Sequence, residues 1–242
     1  MADEHDITSE PPDSIGRALM IFALLLLIAV VGVGAGMVLY LRDGFELPRS
    51  ASERDIASYT VAVRENPDDQ ANHIKLAYAY AQGGRTDLAM ESIALARQIE
   101  DNAAVDVAEG DALRMNGDYG EALAAYRVAE TRAEETYAEA VTDMEKRGVA
   151  FPIDKTVLVR ATHGQALVLW EIDRPEDALA AIGKALDNAP DDASLYVLLG
   201  KYSFESGDVV GAEEAYLAAL RFVPDYPAAI EGLRELEGAA DE

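Results

Sequence analysis

Residues 193–224 read ASLYVLLGKYSFESGDVVGAEEAYLAALRFVP, and this stretch decides the fold. Tyr196, Leu199 and Gly200 belong to a first helix, Gly207-Asp208 make a turn, and Ala212, Tyr216, Ala219 and Leu220 mark a second helix that stops at Pro224. Glycine permits the tight turn, and proline ends the second helix because it has no N–H with which to continue it. Small side chains are needed where two antiparallel helices cross at short distance, while large ones fill the space between neighbouring pairs.

The same skeleton recurs 34 residues earlier as Ala166, the turn Asp173-Arg174, Ala178, Ile182, Ala185-Leu186 and Pro190. Two further copies read Leu76-Ala77, Gly84-Arg85, Ala89, Ile93, Ala96 and Gly110, Gly117-Asp118, Ala122, Tyr126, Ala129. In all four a small residue is followed by Ala 12 positions later and by a second Ala after 7 more. One such pair cannot bury its apolar face alone, so pairs stack into a solenoid.

This frame resembles the tetratricopeptide repeat (TPR) family over about residues 53–236, which implies an all-α fold wound as a right-handed superhelix. Repeats are expected at about 70–102, 103–136, 159–192 and 193–226. Tyr59, Ala62, Val63 and Pro67 match a second helix whose first helix is missing, so the array is expected to open with a lone helix at 53–66. An insertion at 137–158 follows the second repeat. Its sequence favours helix, so the preceding helix should run on until Gly148 and Pro152 break it. Ile230, Leu233 and Leu236 share a face of a capping helix at 227–236, ahead of a tail at 237–242.

Upstream, residues 1–17 form an acidic tail containing Pro11 and Pro12, expected to be disordered. Ala18 to Leu41 then runs for 24 residues without a charge. At helical rise this spans about 36 Å against a hydrocarbon core of about 30 Å. Arg17 and Arg42 bracket the run, and Tyr40 sits where an interfacial aromatic is expected. A cleaved signal peptide would have a shorter apolar core and a basic leader, so 18–41 reads as a retained transmembrane helix with a linker at 42–52. Gly32 and Gly36 have the small-residue spacing through which a homodimer could form in the membrane.

The chain carries 45 acidic and 20 basic residues, a net charge of −25. Nucleic-acid binding is excluded as an expectation, because it depends chiefly on cationic side chains that neutralise phosphate. Cysteine is absent, which removes disulfides, thiolate nucleophiles and zinc–sulfur sites. His5, His73 and His163 lie far apart and show no metal-ligand spacing; no phosphate loop or nucleophile elbow appears. No enzyme activity, cofactor or metal is expected. Asp68-Asp69 and Asp191-Asp192 follow prolines and read as helix caps.

In a solenoid of this type the first helices line a concave groove. The frame places there Ile74, Tyr78 and Ala81; Val107, Asp111 and Arg114; Arg160, His163, Leu167 and Trp170; and Val197, Lys201 and Phe204. Aromatic and cationic side chains are the usual anchors of an interface, so Tyr78, Arg114, Arg160, His163, Trp170, Lys201 and Phe204 are the candidate peptide-binding residues. On that reading Trp170→Ala weakens binding by at least about 1 kcal/mol. Trp170 and Phe204 could equally pack between helices. Family members that clamp chaperone tails use a Lys and an Asn where this chain has Ile74 and Tyr78, so that clamp is missing.

The order of anchor, linker, lone helix and repeats is similar to bacterial membrane-bound TPR proteins that serve cytochrome c maturation or export quality control. That similarity implies a scaffold or chaperone-like adaptor binding peptide segments of other proteins, with its repeats outside the cytoplasm. The charge count points the other way: one Lys/Arg precedes the span and three follow it closely, which places the repeats inside. A structural subunit of a membrane assembly, such as a pilus or secretion apparatus, is the alternative function.

Overall fold

The computed structural model describes residues 50–240. The expected tail at 1–17, the span at 18–41, the Gly32/Gly36 pair and the linker up to residue 49 lie outside the described residues. Among the described residues no helix is long and apolar enough to cross a membrane.

The described chain is all-helical. Helix α1 covers Ala51–Glu65, and four antiparallel pairs follow: α2 (Gln70–Gln82) with α3 (Thr86–Ile99), α4 (Ala103–Asn116) with α5 (Tyr119–Arg147), α6 (Thr156–Glu171) with α7 (Pro175–Asn188), and α8 (Ala193–Glu205) with α9 (Val209–Phe222). Helix α10 covers Pro227–Ala240 and packs on the last pair. Within each pair the two helices are each other's main neighbours, and successive pairs stack on one another.

Local chemistry sets the ends. Ser50 and Glu53 exchange side-chain and backbone bonds in a capping box, so α1 starts at Ala51, two residues before the expected 53. Asp69 accepts from Ala71 N at 2.9 Å and Asp192 from Ser194 N at 2.9 Å, capping α2 and α8. Three of the four turns within pairs contain a left-handed glycine, Gly84, Gly117 or Gly207; the third turn uses Asp173 at φ 58°. Helix α5, 29 residues long, runs on into the insertion and ends at left-handed Gly148. The last helix runs to Ala240 rather than stopping at 236.

The core explains the repeat. Ala89, Ala96, Ala122, Ala129, Ala178, Ala185, Ala212 and Ala219 are each 0% exposed, so all eight recurring alanines sit at helix crossings. The large residue between them alternates as Ile93, Tyr126, Ile182 and Tyr216, and its neighbours alternate with it. Each Tyr ring lies against two glycines, one from its own pair and one from the element that follows: Gly110 and Gly164 for Tyr126, Gly200 and Gly232 for Tyr216. A Cβ on Gly110 or Gly200 would come within 2.7 Å of the ring, and one on Gly164 or Gly232 closer still. Where the residue is Ile, the corresponding positions hold Ala77 and Ala108, or Ala166 and Leu198. Ring size and backbone approach are matched layer by layer.

A charged cluster fastens three helices at the outer edge. Arg97 of α3 reaches Asp101 and Asp106 at 2.8 Å each and Glu109 at 2.5 Å, while Arg132 of α5 reaches Asp101 at 2.8 Å. The Asp106 side chain is only 5% exposed; its second oxygen meets Arg132 Nη1 at 3.2 Å as an ion pair without hydrogen-bond alignment. Asp106→Ala leaves two half-covered guanidinium groups short of an acceptor and should cost about 1.5 kcal/mol. Asp101→Ala, at an exposed position, should cost little near neutrality. Urea unfolding of the two variants checks the contrast. Hydrogen bonds from Arg132 and Arg97 hold the Asp101 carboxyl below its usual range, so its contribution is present above about pH 4 and is lost as acid protonates it.

Candidate functional site

A cleft of about 450 Å³ opens between α1, α2, α4 and α6. Its walls are Asp55 and Tyr59 of α1, Ile74, Lys75 and Tyr78 of α2, Asp111 and Arg114 of α4, and Arg160, His163 and Leu167 of α6. These α2, α4 and α6 residues come from the first helices of three successive pairs and face the same hollow. Tyr78 is 42% exposed there, a large aromatic left in solvent.

Asp111 organises the floor. Its Oδ1 accepts from the Tyr126 hydroxyl at 2.6 Å and its Oδ2 from Arg160 Nη2 at 2.9 Å. Burial, with the Asp111 charge second, pushes the Tyr126 phenol far above its ordinary range, so it remains a donor at every physiological pH. Arg114 lies beside the Tyr126 hydroxyl, Asp111 and Tyr78, and its buried Nε has no hydrogen-bond partner among the described residues. Burial, then the charge of Arg114, lowers His163 below the ordinary imidazole range, which leaves it neutral near pH 7.

The seven candidate residues therefore separate. Tyr78, Arg114, Arg160 and His163 share this cleft. Trp170 instead stacks on Tyr202 with ring centroids 3.9 Å apart and planes 7° from parallel, and edges a separate depression beside Leu179 and Glu205. Lys201 is exposed and lies 3.8 Å from Glu205. Phe204 is half-buried in the C-terminal cluster with Tyr196 and Leu220. Ala81 and Val107, which the repeat frame also turned inward, are buried at 6% and 1% exposure and belong to the core. Asp55, Tyr59 and Lys75 line the cleft although the frame did not single them out. Helix α1 has no buried residue, and its apolar spacing gave no sign of which face would meet α2.

Among the described residues no three His, Asp or Glu side chains converge as metal ligands. His73 is buried and its Nε2 meets the Pro67 carbonyl oxygen at 2.8 Å, pinning the turn between α1 and α2. With Asp111 paired to Arg160 and its open hollow faced by aromatic and cationic side chains, the cleft is suited to holding a segment of another chain.

Residues 163–227 match a family model described as Tetratricopeptide repeat, from within α6 to the start of α10. No curated protein matches the sequence. Solved structures share the fold at low identity. BtubC (BKLC) from P. vanneervenii superposes with a TM-score of 0.61 at 16% identity, over 79% of this chain and 85% of that one. Pseudomonas aeruginosa PilF gives 0.56 at 18% identity, over 88% and 83%. PilW, described as a widely conserved type IV pilus biogenesis factor, gives 0.51 at 16% identity, over 83% and 89%. The likeness is one of fold, a solenoid of paired helices.

Proposed function

We propose that this chain is a membrane-anchored interaction scaffold that holds segments of partner proteins in the cleft between α1, α2, α4 and α6. The observation that carries the proposal is the cleft itself, where side chains from three stacked layers converge around an exposed Tyr78 and the half-buried Arg114. The charge-free run Ala18–Leu41 supplies the tether. Similarity to bacterial anchored repeat proteins favours a chaperone-like role in cytochrome c maturation or export quality control, with the repeats on the extracytoplasmic side of the cytoplasmic membrane. A homodimer through Gly32 and Gly36 fits the same tether. The description of PilW supports a second reading, a permanent subunit of a membrane assembly such as a pilus.

Cross-linking of the full chain in its native membrane separates the two. A changing set of substoichiometric partners supports the adaptor, and one stoichiometric partner supports the structural subunit. Tyr78→Ala should reduce capture in either case, by about 1–2 kcal/mol of affinity. Capture unaffected by that change would remove the cleft from the proposal. Protease added to intact cells and to spheroplasts reports the side on which the repeats lie.

A further inference from the structure

We propose that the cleft selects internal, acidic stretches of its partners, taking Asp or Glu side chains of an extended segment onto Arg114 and Arg160, with Lys75 at the rim. The proposal rests on the reading of the cleft as a peptide site and adds the chemistry of what it accepts.

The chain has 20 Lys and Arg in 242 residues and a net charge of −25, so three cations around one hollow stand against the general balance. They come one from each successive layer: Lys75 from α2, Arg114 from α4, Arg160 from α6. Two carboxylates face them. Asp111 spends its oxygens on Tyr126 and Arg160, and Asp55 is exposed on α1. Arg114 is thereby left with a buried Nε that has no hydrogen-bond partner among the described residues. That nitrogen is covered, but the half-buried Arg114 side chain lines the cleft, and a carboxylate arriving from a ligand would meet its guanidinium in a charge-assisted pair. Arg160 holds Asp111 through one nitrogen while its side chain remains 44% exposed, leaving donors for a second acceptor. His163 is neutral and adds no charge of its own.

The layered spacing argues for side chains over a chain terminus. A terminal carboxylate occupies one point, whereas acidic residues along an extended segment can meet a cation in each layer. Tyr59 and Tyr78 supply apolar walls for the intervening residues. The acidic surface elsewhere does not forbid this, because its field is screened beyond about 8 Å at physiological ionic strength. A basic segment would instead set its cations against Arg114 and Arg160.

Fluorescence anisotropy with the full chain in detergent tests the proposal, using roughly ten-residue peptides acetylated and amidated at their ends. One alternates Glu with apolar residues, a second replaces Glu by Gln, and a third is the Gln peptide with a free C-terminal carboxylate. The Glu peptide should bind about tenfold tighter than the Gln peptide. Arg114→Gln should erase that preference, the exposed Lys75→Gln should reduce it about threefold, and Lys201→Gln, outside the cleft, should leave it intact. Equal affinity for Glu and Gln peptides overturns the acidic preference while leaving the peptide site standing. Binding restricted to the free-carboxylate peptide overturns it in favour of a terminus. Failure of all three peptides and of a randomised library overturns the peptide site as well.

Discussion

Gly164→Ala is expected to cost about 3 kcal/mol of unfolding free energy, the upper end of what overpacking a core usually costs. The residue looks innocuous, a glycine inside a 16-residue helix where alanine would normally favour the helical state. Its surroundings reverse the sign. The added methyl would be driven into the Tyr126 ring, which is 0% exposed and also closely approached by Gly110. The ring has nowhere to go, since its hydroxyl is tied to Asp111 at 2.6 Å. Separation of the second and third pairs is the only relief, and it would strip the Ala161 and Ala166 contacts that bury the interface. In a Tyr126→Ile background the same substitution should cost less than about 1 kcal/mol, because Ile at this position already coexists with Ala elsewhere in the array. Urea midpoints from far-ultraviolet circular dichroism of the four proteins in the cycle measure the coupling. Equal penalties in both backgrounds would show that the ring is not what Gly164 accommodates.

That pairing also marks the limit of what the sequence discloses. The eight alanines are legible because each lies a fixed distance from its partner within one helical pair, and a local spacing survives any insertion elsewhere. Gly164 meets Tyr126 across the junction between pairs, and the insertion at 137–158 displaces the two in register, so no fixed interval connects them. The start of α1 was readable in principle from Ser50 and Glu53, a capping signature one turn ahead of the apolar pattern. For the cleft, the residue types and the first-helix placement bring Tyr78, Arg114, Arg160 and His163 together. What spacing could not supply is the position of α1. A lone helix has no pair partner to fix its rotation, so Asp55 and Tyr59 become wall residues only once it is seen beside α2.

Trp170→Ala is expected to lower stability by about 3 kcal/mol while leaving peptide affinity unchanged, the reverse of what its place on a first helix suggests. The sole tryptophan reads from sequence as an anchor for a ligand, because an aromatic on the inner helix of a solenoid has the right character. The structure gives it an internal partner instead. Its ring lies face to face on Tyr202 at 3.9 Å, and Tyr202 is itself 4% exposed. Burial, with Glu171 and Glu205 nearby, pushes the Tyr202 phenol up to about 12, so the ring pair stays neutral through the physiological range. Removing the indole uncovers Tyr202, forfeits an aromatic contact worth about 1 kcal/mol beyond its area, and opens a void between α6 and α8. Because Trp170 keeps one edge in solvent, the loss falls at the low end of tryptophan truncations. Tyr78→Ala provides the opposite case: an exposed ring whose removal should change stability by less than about 0.5 kcal/mol yet weaken capture. Measuring thermal stability and peptide affinity side by side therefore divides the two aromatics. A Trp170→Ala protein that unfolds normally but binds poorly would return that residue to the binding surface and make the two depressions parts of one groove.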